Sequence, residues 1–411
     1  MNDLLPANTE LWRHVEAVLA KVAGQYGYVE IRTPLLEKTA LFQQSIGGQT
    51  DIVEKEMFTF TDAGDESLTL RPEATASTVR AALQHGLLHN QRHRLWYMGP
   101  MFRRERPQQG RFRQFHQFGL EAFGWAGPDI DVEMILAGER IWQALRIDGL
   151  TLRLNSLGSG ATRAKYREVL RDFLLGHRAA LDPDSRRRLD RNPLRILDSK
   201  HEAAREIVRA APRIQDFHSA AEAEVFARLR AALDQCAVSY VVDPALVRGL
   251  DYYTSTVFEW TSDRLGAQSA VGGGGRYDSL VENRGGRAVP GVGFALGLER
   301  LVELIPSGDR MRRRRPAAVY VIDVSAGETE GVKLAEALRG AGSAVILHCG
   351  GGKLKARLRR ADQSGAALAL LIGDREQDAG VVQVKHLRDN TPDHDVPRAE
   401  TAAYCGQFTD S

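Results

Sequence analysis

Residues 95–121 read LWYMGPMFRRERPQQGRFRQFHQFGLE. Leu95, Tyr97 and Met101 alternate toward apolar partners, and a polar–apolar alternation resumes through Gln114, Phe115, His116, Gln117 and Phe118. That period predicts two strands. Between them stand Arg103, Arg104, Arg106, Arg111 and Arg113, with Pro107 and Gly110. The connection is too long for a two-residue turn, so the expectation is a long hairpin with a cationic tip. Every cation in it is arginine, whose planar fork meets phosphate oxygens in pairs and stacks on bases. A solvated basic hairpin would satisfy the charge pattern by itself. Yet Glu105 sits among the arginines, and residues 117, 119 and 121 share one strand face that carries Gln117 and Glu121. A phosphate-binding rim beside a polar, acidic face suits a nucleotide plus a small cationic substrate.

The chain has 411 residues, 43% of them hydrophobic, enough for two or three domains with substantial cores. The net charge is only +2, so a polyanionic partner requires the basic residues to be clustered. Cys236, Cys349 and Cys405 are scattered without metal-ligand spacing, as expected of reduced thiols in a cytoplasmic protein. The first residues lack a basic region followed by an apolar run, and no stretch reaches the length of a membrane span. We therefore expect no membrane association and no protein-held metal.

Asn8 or Thr9 can cap a helix over residues 10–25, with Leu11, Val15, Val18, Leu19 and Val22 on one face. Residues 28–32 then alternate as a strand that Pro34 stops. A second strand ends at Pro72 in Leu-Thr-Leu-Arg-Pro-Glu-Ala-Thr, residues 68–75, and a helix follows to about Gln84. Glu73 and Thr75 lie at that strand-to-helix junction, where Glu73 also suits the first turn of a helix dipole. Residues 131–145 predict an amphipathic helix and residues 150–154 a strand. From 160 to 233 strand signals vanish, and Arg- and Ala-rich helical segments take over around Arg186, Arg187, Arg188 and Arg191. This reads as a helical insertion, either a solvated bundle or an RNA-facing module.

The most specific segment is Arg248-Gly249-Leu250-Asp251-Tyr252-Tyr253. Buried tyrosine hydroxyls need partners and a buried arginine needs an anion, so plain core is a poor description. Residues 256–260 alternate as a strand. Four glycines, 272–275, then precede Arg276-Tyr277-Asp278 and let a backbone approach a ligand closely, although a flexible turn is the commoner cause. Pro306 and Pro316 bound a linker containing the charge run 312–315. Beyond it, the apolar runs 317–324, 344–347 and 367–372 alternate with helical stretches near 328–340 and 353–363, a small α/β domain with a partly parallel sheet. Gly350-Gly351-Gly352-Lys353 lacks the spacing of a phosphate-binding or dinucleotide loop.

The Phe-Arg-x-Glu sequence, the basic loop and Arg-Gln-Phe-His-Gln-x-Gly-x-Glu together resemble motif 2 of class II aminoacyl-tRNA synthetases. The Arg-Gln-Phe-His-Gln wording, the Arg248 and Tyr277 segments, and the motif 3-like residues 290–301 resemble the histidyl-tRNA synthetases. The resemblance runs over nearly the whole chain and is loosest in the tail. It implies an α+β protein. A catalytic domain on an antiparallel sheet (1–159 and 234–309) would carry a helical insertion (160–233). A linker (310–315) would lead to an anticodon-binding α/β domain (316–411). It implies a homodimer, through the first helix and strand. It implies histidine, ATP and tRNA(His) as substrates, with Mg²⁺ borne by ATP.

The resemblance also implies roles. Arg103 and Arg248 would grip the α-phosphate and the histidine carboxylate. Glu105 and Arg111 belong to the ATP side, Arg111 at the terminal phosphates, and Phe115 and Arg300 would sandwich adenine. Glu73, Thr75 and Gln117 would hold the α-amino group. Glu121 and Tyr253 would read the imidazole, with Tyr252 and Tyr277 in the same pocket. Arg106 and Gln108 at the loop tip would meet the tRNA acceptor end. Some positions depart from the family. Ala74, Ser255 and Ser279 stand where glycine is usual, each small for small. Family members usually carry Arg-Gly shortly before Met-Asn-Asp-x-Leu-Pro, whereas Met1 begins that motif here, so a late-assigned start or a missing short strand is expected. The alternative reading is a synthetase-like, non-catalytic regulatory subunit of ATP phosphoribosyltransferase. Such a subunit typically lacks the tail domain and degrades the histidine signatures, and this chain keeps both.

Overall fold

The arginine-tipped hairpin supplies the second and third strands of the eight-stranded sheet of a computed structural model. The structure describes residues 2–47, 50–105, 111–199, 201–266, 269–306, 319–325, 327 and 329–408. Two units result, residues 1–307 and 308–411. The expected loop-tip residues Arg106 and Gln108, and the expected linker 310–315, lie outside the described residues.

In the first unit, helix α1 (Pro6–Gln25) is followed by strands β1 (Val29–Glu30) and β2 (Leu36–Lys38) and helix α2 (Thr39–Ile46). A π-helical turn (Ile52–Glu56) leads to β3 (Phe58–Thr61), β4 (Ser67–Leu70) and α3 (Thr75–Gln84). The hairpin is β5 (His93–Phe102) and β6 (Gln114–Phe123). Then come α4 (Asp129–Leu145) and β7 (Thr151–Ser156). A helical run follows: α5 (Gly160–Gly176), α6 (Pro183–Arg191), α7 (Glu202–Arg209) and α8 (Ala220–Gln235). The unit closes with β8 (Tyr240–Val242), β9 (Thr256–Thr261), β10 (Ala270–Arg276), α9 (Leu280–Asn283), β11 (Gly291–Gly297) and α10 (Leu298–Leu304). The eight-stranded sheet has the order β1-β5-β6-β11-β10-β9-β7-β8. Only its outer pairs, β1 with β5 and β7 with β8, are parallel.

The sequence locates α1 but misplaces its start. The helix begins at Pro6, a residue pre-set for the first helical position. Thr9, expected as a cap, instead donates its hydroxyl to Pro6 O at 3.2 Å. The face that carries Trp12, Val15, Leu19 and Val22 packs with Ile135, Ile141, Leu120 and Phe294 into one core. Each such side chain contributes about 1.5–3 kcal/mol on burial. The strand expected over 28–32 keeps two ladder residues, Val29 and Glu30. Past Ile31 the chain is taken up by Arg71, whose Nη1 donates to Thr33 O at 3.1 Å and whose Nε donates to Pro100 O at 3.0 Å.

The four-glycine run, for which a flexible turn was the commoner expectation, is a strand inside the sheet. Gly272–Gly275 pair with β9 on one side and β11 on the other. A Cβ on Gly274 would overlap the carbonyl of Gly293 and Phe294. The missing side chains therefore serve close backbone packing and not a turn.

The second unit has a five-stranded sheet of β12 (Val319–Asp323), β13 (Val345–Leu347), β14 (Leu368–Ile372), β15 (Val381–His386) and β16 (His394–Pro397). The first three pair in parallel in the order β13-β12-β14, and β15 and β16 add antiparallel strands. The helices Glu330–Gly340 and Leu354–Gln363 connect the parallel strands. The expected apolar runs are β12, β13 and β14. The antiparallel strands β15 and β16, of which β16 is an edge, had no counterpart in the sequence.

Candidate functional site

The hairpin and the neighbouring strands β9–β11 floor a cleft in the first unit. Its lining brings together Glu73, Thr75, Arg103, Glu105, Arg111, Phe115, Gln117, Arg248, Tyr252, Tyr253, Tyr277 and Arg300. These expected site residues come from segments more than 220 positions apart in sequence, and the sheet order gathers them. Glu121 does not line the cleft. It is 1% exposed and sits one layer below, reached through side chains that do line it.

Strand register explains the placement. Glu121 lies opposite Leu95 on β5 and Gly293 on β11, and Gly119 lies opposite Tyr97. A side chain at Gly293 would overlap the Glu121 carboxylate, and one at Gly119 would overlap the Tyr97 ring. Both glycines leave room for a buried polar cluster. Thr75 donates to Glu121 Oε1 at 2.6 Å, Tyr97 donates to the same oxygen at 3.3 Å, and Tyr277 donates to Oε2. Burial pushes the Glu121 carboxyl up to about 8, against the stabilising pull of these hydroxyls. The Tyr97, Tyr252 and Tyr277 phenols are likewise held well above their ordinary range, first by burial. The tyrosines are therefore neutral donors and acceptors at physiological pH.

Glu73 performs the helix-start role that its position permitted. Its oxygens accept the backbone N–H groups of Thr75 at 2.7 Å and Ala76 at 3.0 Å, at the N-terminus of α3. Burial raises its carboxyl, and these backbone donors oppose the rise. A carboxylate has further lone pairs, so capping does not use up its capacity to accept.

On the cationic side, Arg103 donates from Nε to Pro72 O at 2.9 Å and lies 5.3 Å from the Phe115 ring centroid. Arg111 pairs with Glu105 at 2.7 Å, so Glu105 holds the loop arginine while Arg103 stands 4.0 Å away. Arg248 is ion-paired through Nη1 with Glu259 on β9, and its Cζ is 6.0 Å from the Tyr253 ring. Burial acts most strongly against its charge, but Glu259, Tyr253 and Tyr252 together outweigh it and the guanidinium is held above its ordinary value. Arg300, at the start of α10, donates to Ala270 O on β10. Burial and the neighbouring Arg111 lower its pKa, as expected where several cations await an anion. Among the described residues, Arg248 Nε and Gln117 Oε1 are buried without a hydrogen-bond partner. Open donors and acceptors of this kind belong to a site built for a polar ligand.

Other lining residues escaped the sequence reading. Glu259 orients Arg248, Tyr97 supports Glu121, and Glu299 accepts the His116 backbone N–H at 3.0 Å, tying α10 to the hairpin. The only available signal for Glu259 was a lone acid between Phe258 and Trp260 in an otherwise apolar strand. Arg276, the neighbour of Tyr277, has a structural task that its sequence context does not reveal. It is buried against Asp131 and donates to Trp125 O at 2.9 Å, which locks the end of β10 to α4. Among the described residues no cluster of three or more His, Cys, Asp or Glu is arranged to hold a metal, and no helix is long and apolar enough to cross a membrane.

The histidyl-tRNA synthetase family model matches residues 1–301, and the anticodon binding domain model matches residues 318–407. The crystal structure of apo S. aureus histidyl-tRNA synthetase is 33% identical, covers 98% of both chains and superposes with a TM-score of 0.82. A protein from Bacillus halodurans, described as an ATP phosphoribosyltransferase regulatory subunit/histidyl-tRNA synthetase, shares the fold at 24% identity. It covers 91% of this chain and 97% of its own, with a TM-score of 0.67. A histidyl-tRNA synthetase from Nostoc also shares the fold, at 20% identity, 99% and 98% coverage and a TM-score of 0.68.

Proposed function

The chain belongs to the histidyl-tRNA synthetase family, and from that premise we propose that it is a histidine–tRNA ligase. It would activate histidine with ATP and pass the histidyl group to tRNA(His). The observation that carries this reading is the cleft itself, where Arg103, Arg111, Arg248 and Arg300 line one space with Gln117, Tyr252, Tyr253 and Tyr277. A polyanion and a small polar amino acid fit such a lining together.

In the first step a histidine carboxylate oxygen attacks the ATP α-phosphorus, and the bond to the bridging oxygen of the β-phosphate breaks. Pyrophosphate leaves with the electron pair. The protein's work is positioning and charge neutralisation. Arg103 and Arg248 hold the carboxylate and α-phosphate against their mutual repulsion. Arg111, aligned by Glu105, meets the terminal phosphates. Phe115 and Arg300 enclose the adenine. Glu73, Thr75 and Gln117 receive the α-amino group, and Tyr253 and the Glu121 cluster, with Tyr252 and Tyr277, read the imidazole. Mg²⁺ would arrive on the ATP phosphates and neutralise part of their charge, with few protein ligands. In the second step a ribose hydroxyl at the tRNA end attacks the acyl carbon and AMP leaves. Arg106 and Gln108 would meet that end of the tRNA.

The same reading divides the chain into a catalytic domain (1–159 and 234–309), a helical insertion (160–233), a linker (310–315) and an anticodon-binding domain (316–411), in a cytoplasmic homodimer. Histidine-dependent exchange of pyrophosphate into ATP by the purified protein is the expected result. Absence of exchange, with stimulation of an ATP phosphoribosyltransferase catalytic subunit instead, would replace the ligase with a non-catalytic partner.

A further inference from the structure

The helical run 160–235 is more than an appendage to the cleft. Tyr252 and Tyr253 share one apolar cluster with Tyr166, Leu170, Leu189 and Ile196. The wall of the cleft and the core of the helical run are therefore continuous. Two arginines of the run reach across to the main chain that carries the cleft residues. Arg195, in the short turn Pro193–Ile196, donates from Nη2 to Gly249 O at 2.7 Å and to Asp251 Oδ1 at 3.2 Å. Arg163, in the first turns of α5, donates from Nη1 to Tyr253 O. Asn192 adds a longer contact to Asp251 at 3.4 Å, and the Asp251 N–H donates to Ile46 O at 3.1 Å. The segment Gly249–Tyr253 has no ladder partner of its own, since β8 ends at Val242 and β9 begins at Thr256. Its carbonyls at both ends are met by guanidinium groups from outside the sheet. Arg195 itself is only 16% exposed, while its bonds to Gly249 and Asp251 lie on the solvent-facing side of the segment, so what they supply is a fixed geometry.

We propose that Arg195, seconded by Arg163, is a positioning residue for adenylate formation, holding the backbone of residues 249–253 and thereby fixing Arg248 and the tyrosine wall. The proposal rests on the ligase reading above. It gives the helical run a task in the first half-reaction, before any tRNA is bound. Arg195 touches neither substrate. Its removal leaves the charge of Arg248 in place and loosens the frame that aims it. A loosened cation loses more at the transition state than in ground-state binding. A misplacement of about 1 Å can cost on the order of 100-fold in rate.

The test compares Arg195→Ala, Arg195→Lys and Arg187→Ala in the full chain. Arg187 is exposed and paired with Asp184 within its own helix, which makes it the control. The readouts are steady-state pyrophosphate exchange without tRNA and amide hydrogen exchange of residues 246–255. Arg195→Ala should lower kcat by on the order of 10- to 100-fold, with the KM for histidine moving less than about 3-fold. Its amides at 246–255 should exchange faster, while those of β5 and β6 are unchanged. Arg195→Lys keeps a cation but loses the fork that spans Gly249 and Asp251, so a smaller effect of the same kind is expected. It also carries the test if the alanine variant does not fold. A loss confined to KM, or an unchanged kcat with unchanged amide exchange, overturns the proposal. If the unaltered protein gives no histidine-dependent exchange, the ligase reading falls and the catalytic role of Arg195 falls with it. Amide exchange then still reports whether Arg195 orders the segment.

Discussion

Thr75 donates its hydroxyl proton to Glu121 across 2.6 Å, joining the start of α3 to the last residues of β6 beneath the cleft floor. The bond links two residues expected to serve opposite ends of one amino acid. It also places a carboxyl of pKa about 8 in a nearly water-free cluster. In the unfolded chain that carboxyl returns to the ordinary range near 4.5.

The sign of the pH dependence follows. Between about 4.5 and 8 the folded protein holds a proton at Glu121 that the unfolded chain has released. Stability from this group is thus fully present below the unfolded value and is lost as pH rises through the folded one. Glu121→Gln removes the titration. The urea midpoint of the unaltered protein should fall from pH 5 to pH 9 by more than that of Glu121→Gln. Parallel curves for the two proteins would mean that Glu121 stays ionised when folded.

Loss of the carboxyl should also be felt in the reaction. Glu121→Ala strands the hydroxyls of Thr75, Tyr97 and Tyr277, and an unsatisfied buried group costs about 1–3 kcal/mol. A pocket built to hydrogen-bond its substrate discriminates strongly. Histidine activation should drop on the order of 100-fold, read by pyrophosphate exchange. An unchanged rate would remove Glu121 from histidine recognition.

The glycine strand gives a contrast in stability. Gly274→Ala drives a methyl into the backbone of β11, an overpacking that costs about 1–3 kcal/mol or more. Gly176, the last residue of α5, has nothing near its Cβ position. Gly176→Ala should be neutral or stabilise by about 0.4–1 kcal/mol. Urea unfolding of both variants is the measurement, and equal midpoints would contradict the packing account.

The hairpin, the Arg248 segment, and the elements α1, α3, α4, β7 and β9 were legible because each announces itself locally, by period, charge or an unusual pairing of residue types, whereas α2, β2, β3, β15 and β16 carried no such signal. The local signal at Gly272–Gly275 left a turn and a close backbone approach to a ligand both open; the run is a strand, and Gly272 and Gly273 line the cleft. Local logic failed for Glu259 and Glu299. Each is a single acid whose meaning comes from Arg248 or His116, and the His116–Glu299 contact spans 183 positions. The brace of Arg163 and Arg195 was invisible too, since an arginine-rich helical run reads equally well as a solvated face. The start of α1 was misjudged because two capping candidates, Asn8 and Thr9, competed with a proline just ahead of them.

The second unit supplies a separate prediction. Residues 318–407 match an anticodon binding domain, and their sheet and apolar core are complete without the first unit. A chain ending at residue 315 should keep part of its histidine-dependent exchange and charge tRNA poorly. Equal charging by the shortened and full chains would defeat the anticodon assignment. Loss of both activities would point to support of folding or of the dimer.

Arg248 carries the sharpest prediction. Its Nη1 is engaged by Glu259 while its Nε remains open among the described residues, so one edge is fixed and another is free for a ligand. Adenylate formation brings a carboxylate to a polyanion and shifts charge to the departing pyrophosphate. A fixed cation touching both reactants relieves that repulsion most at the transition state, so its loss should fall on kcat more than on KM. Arg248→Ala should slow adenylate formation on the order of 100-fold or more, the scale of one preorganised donor. Arg248→Lys keeps the charge without the fork, cannot satisfy Glu259 and a phosphate in the same plane, and should also be slow. Transfer from preformed adenylate to tRNA should suffer less, because pyrophosphate has already gone. Single-turnover kinetics of both half-reactions separate these outcomes. If only the KM for histidine rises while the turnover rate is untouched, Arg248 binds the ground state and the charge-relief mechanism fails.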